Sequence, residues 1–354
     1  MKIGIIIPNN LWFCPYVNIY TKVLSGLNVQ YEVISWCRDG KHEDNCIEYT
    51  DSKVYRGPLK LISYLKFASF VKKTITSRDY YKLIVFTPQT GIFIAKFLKK
   101  YYRGKYIFDY RDLSIEQSYI FKKAFKTLLD NSAANVISSP GFKLYLPSDY
   151  YYILSHNFNI DAVREALEGN SVSTEQVNEG QLDVLTIGGI RDFESNVEVL
   201  KALGNKEGFT VRFVGRGYAS EPLKQVSDER GFKNVTFVGF YKKEEEPSYV
   251  NDATFLNIFY PRKASHDTAL SNRFYNSLIY RKPMITTANT TQGNYAAKYG
   301  VGVAISDCSN LPNDLRDYLA SEAYTRFAEN ANRLLADFIK DYDKFYNMVR
   351  EFVK

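Results

Sequence analysis

Glycine turns and arginines at the ends of apolar runs are the residues of this chain whose types and spacing suit chemistry on an anion. In DVLTIGGIRDFESNVEVL (183–200) an apolar run ends in Gly188-Gly189, Arg191 follows two residues later, and a helical pattern begins. Such a turn lets backbone amides approach a phosphate, the helix start adds its positive end, and the arginine supplies a bidentate charged donor. The competing reading is a strand-to-helix turn with a solvated arginine. A second turn follows the next apolar run, in VRFVGRGY (211–218), where Gly215 and Gly217 flank Arg216. A third closes NVTFVGFYKKEEE (234–246) at Gly239-Phe240-Tyr241, where an open amide beside an aromatic ring suits a nucleobase. In ALSNRFYNSLIYRKPMITT (269–287), Ser271 or Asn272 caps a helix with Asn272 and Arg273 in its first turn and Asn276 one turn on. Its amides and charge would face anything anionic, although an ordinary capped helix reads the same way.

A different chemistry is offered by GKYIFDYRDLSIEQ (104–117), an apolar run ending in Asp109-Tyr110-Arg111-Asp112. A carboxylate there can bind a hydroxyl or take its proton, with Asp112 the first choice and Asp109 the second. An Asp–Arg pair capping a helix is the alternative. Two other signals are set aside: Asp341-Tyr342-Asp343 has the Asp-x-Asp form of a metal site but falls on a helical pattern where successive side chains diverge, so it reads as solvated surface, and His266-Asp267, in the loop before the capped helix, could touch a bound ligand but reads as a mobile polar loop. Cys14, Cys37, Cys46 and Cys308 show no paired metal spacing, and only three histidines accompany them. No metal site and no cofactor are expected on that basis.

Positioning these residues requires strands that end in loops along one edge. Short apolar runs alternate with helical patterns near 2–7, 31–36, 82–86, 105–109, 134–138 and 150–154, and again near 182–187, 209–214, 234–238, 253–257, 283–286 and 302–305. That alternation predicts an α/β chain of two tandem, doubly wound, Rossmann-like parallel sheets facing across a cleft. At 354 residues the chain has the length of two domains. The expected division is 1–157, 158–335 and a C-terminal helix, 336–354, returning to the first domain. The weak periodicity and Gly/Asn/Ser/Thr content of 157–181 mark the linker. In a parallel sheet the loops after the strands bind ligands.

Charge divides unevenly. Residues 1–160 hold 22 Lys and Arg against 12 Asp and Glu, a net of +10, whereas the whole chain carries +7. In this basic half SYLKFASFVKK (63–73) and YIFKKAFKTLL (119–129) interleave lysines with apolar residues, a pattern suited to the face of an anionic membrane and equally to a core face with lysines in water. The run Ile3–Ile7 ends at Pro8-Asn9-Asn10, too short for a signal sequence, and no stretch reaches the ~20 apolar residues of a membrane span. A cytoplasmic protein, peripheral to the inner face of the membrane, is the resulting expectation. No nucleic-acid recognition motif accompanies the basic half, and the Gly-x-Gly-x-x-Gly of nicotinamide enzymes is missing after the first strand.

The segments 183–200, 211–218, 234–246 and 269–287, in this order, resemble the donor-binding half of the GT-B glycosyltransferases, particularly the GT4-like group that builds bacterial capsular and O-antigen polysaccharides. The family's Pro-Asn-Lys-hydrophobic-Tyr-Glu-Ala followed by Gly-Lys-Pro-hydrophobic-Ile is matched by Leu270-Ser271-Asn272-Arg273-Phe274-Tyr275-Asn276-Ser277 and Arg281-Lys282-Pro283-Met284-Ile285. The resemblance spans about 150–310, and Asp109–Asp112 resembles the strand-end Asp-x-Arg-Asp of many such transferases. It implies metal-independent transfer of a sugar, with retention of configuration, from a nucleotide sugar to a lipid-linked or oligosaccharide acceptor. The base would lie near Gly239 and Phe240 and the diphosphate over Gly189 and Asn272, its charge met by Arg191 and Arg273. The chain departs from the pattern at Asn276, where the family has a glutamate that accepts from both ribose hydroxyls, and at Arg281, where it has glycine. The first departure favours a rival reading, a nucleotide-binding module without turnover. A two-domain sugar-nucleotide epimerase shares the architecture but lacks here a set of acid and base residues.

Overall fold

The computed structural model describes residues 2–51, 60–169 and 180–354. The chain forms two compact units, Met1–Asn157 with Lys340–Lys354, and Phe158–Ile339.

In the first unit seven strands form one sheet: β1 (Lys2–Ile6), β2 (Gln30–Cys37), β3 (Cys46–Thr50), β4 (Lys82–Phe86), β5 (Tyr106–Tyr110), β6 (Ala134–Ile137) and β7 (Tyr152–Leu154), in the order β3-β2-β1-β4-β5-β6-β7. All the pairings are parallel. The central strands are nearly continuous apolar runs because both faces are covered. Ile6, Val85 and Phe108 pack into one core cluster, and Ile5, Ile84 and Ile107 into another. β3 escapes the sequence reading because CIEYT is an edge strand, partly exposed along its length, and needs no unbroken apolar run.

Six strands build the second unit: β8 (Leu182–Ile187), β9 (Phe209–Val214), β10 (Val235–Val238), β11 (Phe255–Ile258), β12 (Met284–Thr287) and β13 (Gly302–Ile305), in the order β10-β9-β8-β11-β12-β13. Numbered within the unit, this is the order 3-2-1-4-5-6, and the direction of winding reverses between β8 and β11. Ligands of such sheets bind outside the strand ends at that reversal.

The stretch expected to be a linker is in part structured. Residues Ile160–Glu168 form a helix whose cap, Asn159, accepts from the Asp161 amide at 3.1 Å, and Val163 is fully buried in the second core. The remaining 170–179 lie outside the described residues. The C-terminal helix runs over Phe327–Val353. Its first half buries Leu334, Leu335 and Phe338 in the second unit's core, and its end buries Phe345 and Val349 beside Ile3 and Tyr20 in the first. Among the described residues no helix is long and apolar enough to cross a membrane.

Candidate active site

The glycine turns after β8 and β9 lie against each other. The Gly188 amide donates to the Val214 carbonyl at 2.8 Å and the Ile190 amide to Arg216 at 3.2 Å. A side chain on Gly215, which also has φ of +127°, would begin 2.1 Å from the Gly188 oxygen, and one on Gly217 only 1.9 Å from the Ile190 oxygen. Glycine is required at both positions because backbone occupies the space of a Cβ. The turn beyond β8 is thus held open-faced, with Gly189 and Arg191 exposed.

Arg273 stabilises the same turn from below. It is buried and donates to the carbonyls of Ile187 at 2.5 Å, Gly189 at 2.9 Å and Asn257 at 3.4 Å. These join the end of β8 to β11, so the guanidinium plugs the winding reversal, using three of its five donors. Arg191 also adjoins Gly189, its Nε 3.4 Å from where a Gly189 side chain would begin. The two arginines therefore meet at one exposed glycine. Ser271 is the helix cap, its hydroxyl accepting from the Phe274 amide at 3.3 Å and donating to Gln292 at 2.7 Å, which leaves Asn272 exposed as the first helical residue.

Beyond β10, Gly239 is exposed and Phe240 is 69% exposed, with the Arg216 guanidinium 5.9 Å from the ring centre. An aromatic ring and a cation are both exposed there, in contact with each other. Tyr241 turns inward to donate to Glu246 at 2.8 Å, and Asn276 donates to the other oxygen of that carboxylate at 2.9 Å. Burial and then this hydrogen bond push the Tyr241 phenol well above its usual range, so it remains a donor. Glu246 was not singled out in the sequence, where it is the last of three consecutive glutamates. Only the short helix Glu246–Asn251 buries it.

Two further polar groups gather at the same edge. Asp192 is buried, with its carboxylate 3.6 Å from His266 and 3.8 Å from Lys263, and Asp267 is paired with Arg262 at 2.9 Å. His266 and Asp267 thus belong to a short helix, Ala264–Thr268, rather than to a mobile loop. Arg281 has φ of +57°, the left-handed conformation that explains why glycine suits this position. Its strain of about 1–2 kcal/mol is offset by donation to the Leu278 and Ala166 carbonyls at 2.6 Å each.

In the first unit the structure separates the two candidate carboxylates. Asp109 is fully buried, ion-paired with Arg111 at 2.6 Å, and accepts from the Tyr20 hydroxyl at 2.7 Å. Asp112 is exposed just past the end of β5 and accepts from the Leu113 amide at 2.8 Å. The expectation for Asp341 is also corrected: it is half-buried and pairs with the buried His156 at 3.3 Å.

No family model matches the chain, and no curated protein matches it by sequence. Solved structures do. The chain is similar to sucrose-phosphate synthase from Thermosynechococcus elongatus at 15% identity, covering 100% of this chain and 99% of that one with a TM-score of 0.70. It is similar to HepE of Anabaena, solved with UDP and glucose, at 12% identity over 99% and 100% with a TM-score of 0.68. It is also similar to WaaG, a glycosyltransferase of lipopolysaccharide biosynthesis, at 12% identity over 98% and 99% with a TM-score of 0.63. At such identities the likeness carries the architecture alone. With its two doubly wound parallel sheets, the chain has the GT-B fold of these glycosyltransferases.

Proposed function

We propose that the chain is a nucleotide-sugar-dependent glycosyltransferase whose donor lies along the strand ends of the second unit. The observation that carries this reading is the pair of interlocked glycine turns at the winding reversal, flanked by Arg191 and Arg273. The diphosphate would lie on the amides of Gly188 and Gly189 and the start of the helix Asn272–Ile279, and the base between Phe240 and Arg216 near Gly239 and Gly215. As the glycosidic bond breaks, charge grows on the leaving diphosphate. Arg191 would meet it directly, while Arg273 holds the turn and lends its charge from behind. These fixed cations support transfer without a metal. Asp112, at the corresponding edge of the first sheet, would orient an acceptor hydroxyl rather than deprotonate it, which fits retention of configuration.

The acceptor we infer is a lipid-linked saccharide of bacterial surface polysaccharide synthesis, met at the inner face of the membrane. On the helix Tyr119–Asp130, Tyr119 and Ile120 are 86% and 81% exposed next to the exposed Lys122 and Lys123, an apolar tip edged with charge. A second reading, binding without turnover, draws on Asn276. Its amide is engaged by Glu246, so its one carbonyl oxygen is what remains to accept a ribose hydroxyl.

The test is a panel of nucleotide sugars, scored first by thermal shift and then by hydrolysis or transfer. We expect one donor to raise Tm and turn over, and Arg191→Gln to lose at least tenfold in turnover and to shrink the Tm rise, with the stability of the free protein unchanged. A shift without turnover under any acceptor would select the binding module. No shift from any nucleotide sugar would reject both.

A further inference from the structure

The β2–β3 connection brings together three side chains that have no role in the reaction above. Cys37 ends β2, Glu48 lies in β3, and His42 stands in the loop between them. The strand register pairs Cys37 with Thr50 and Ser35 with Glu48, so the thiol and the carboxylate point to the same face as diagonal neighbours. Cys37 Sγ, a His42 ring nitrogen and a Glu48 oxygen all lie within 4.8 Å of one another. We propose that these residues bind one divalent transition-metal ion of the zinc type, and that the ion orders the loop Arg38–Asn45.

The donor set is one that such an ion prefers: a thiolate, an imidazole and a carboxylate, which together balance its double charge. Metal–ligand bonds of about 2.0–2.3 Å put tetrahedral ligands roughly 3.3–3.7 Å apart, so the His42–Glu48 pair, now hydrogen-bonded at 2.6 Å, must open by roughly 0.7 Å, and separations of up to 4.8 Å must close by about 1 Å. The carboxylate and the imidazole already meet, while the Cys37 thiol donates to the Lys41 carbonyl of the same loop at 3.4 Å. One Glu48 oxygen accepts from the Glu43 amide at 3.0 Å, which turns the other toward His42 Nδ1 at 2.6 Å. Fixing a carboxylate from behind in this way is how outer hydrogen bonds tune metal sites. Cys37 is buried, whereas His42 is exposed, so the ion can enter from solvent and keep a water in its fourth position. On binding, the thiol proton and any proton shared by His42 and Glu48 pass to solvent. Spacing alone conceals the site, because its ligands come from two strands and a loop and no Cys-x-x-Cys announces it.

Occupancy would reach the edge of the first sheet. The Glu43 carboxylate accepts from the amides of Leu11 at 2.7 Å and Trp12 at 3.2 Å, and Asn10 bonds both the Lys41 carbonyl and the Arg38 amide at 2.9 Å. The loop that carries His42 therefore also holds the exposed Trp12 and Phe13 after β1.

Chelator-treated full-length protein titrated with cobalt(II) tests the proposal. We expect saturation at one equivalent, a near-ultraviolet thiolate-to-metal band with tetrahedral visible bands, displacement by zinc(II), and a rise in Tm with zinc(II). Cys37→Ser should abolish the ultraviolet band, His42→Ala should weaken binding at least tenfold, and Cys46→Ser should leave both unchanged. His42 is exposed, so its variant keeps the test decisive should Cys37→Ser fail to fold. Absence of saturable binding, or a band that survives Cys37→Ser or depends on Cys46, overturns the site, whatever the donor assays show.

Discussion

Adding one methyl group at Gly217 should damage donor handling more than fold stability. The new Cβ of Gly217→Ala would begin 1.9 Å from the Ile190 oxygen and 2.6 Å from its carbon. Real Cβ contacts do not fall below 3.0 Å, so one turn must retreat from the other by about 1 Å. Gly217 has no left-handed φ, so the effect is purely steric. Overpacking of this kind costs about 1–3 kcal/mol, a fall in Tm of roughly 2–12 °C for a unit of this size. The displaced segment carries Gly189 and Arg191, and misplacing a positioning group by 1 Å can lower turnover about 100-fold. Urea unfolding and donor turnover are the paired assays, with Gly26→Ala as control, since nothing lies within 4 Å of its Cβ. A Gly217→Ala protein with both wild-type stability and wild-type turnover would refute the reasoning.

Three other outcomes are expected. Arg273→Met leaves the Ile187, Gly189 and Asn257 carbonyls without their charged donor and should cost about 2–4 kcal/mol in urea unfolding, with less than 1 kcal/mol counting against the arginine as a structural plug. Burial lowers the His156 pKa below the usual value near 6.5 despite Asp341, so the folded state favours the neutral ring. Stability should then be full above about pH 6.5 and decline as pH falls below it, and His156→Gln should flatten that decline in Tm. Asp341, itself held low by His156 and Lys344 against the opposing effect of burial, adds a further loss only at lower pH. Reversing Lys122 and Lys123 to glutamate should reduce binding to anionic liposomes by at least tenfold at low salt, at about 1 kcal/mol per basic residue. Lys126 is a poor choice for that test because it is already engaged by Asp130 and Tyr150.

What the sequence determined by itself was the architecture. Short β-branched runs such as KLIVF and LDVLTI, repeating between helical patterns, read as buried strands of a parallel sheet, and their length and the turn residues beside them record this locally. The glycine turns were legible for a related reason, since each follows a strand, although only Gly188 and Gly215 use a positive φ and Gly217 is needed for the close approach of Ile190. Tertiary structure alone decided how the polar residues divide. Asp109 and Asp112 look alike in sequence, yet one is locked by Arg111 and Tyr20 and the other faces solvent. Arg273 proved to be a buried clamp, Glu246 emerged from a run of glutamates as the partner of Tyr241 and Asn276, and Cys37 met His42 and Glu48 through the β2–β3 register. Hydrophobic pattern is a property of neighbours along the chain, whereas a polar group's role depends on partners that folding brings from elsewhere.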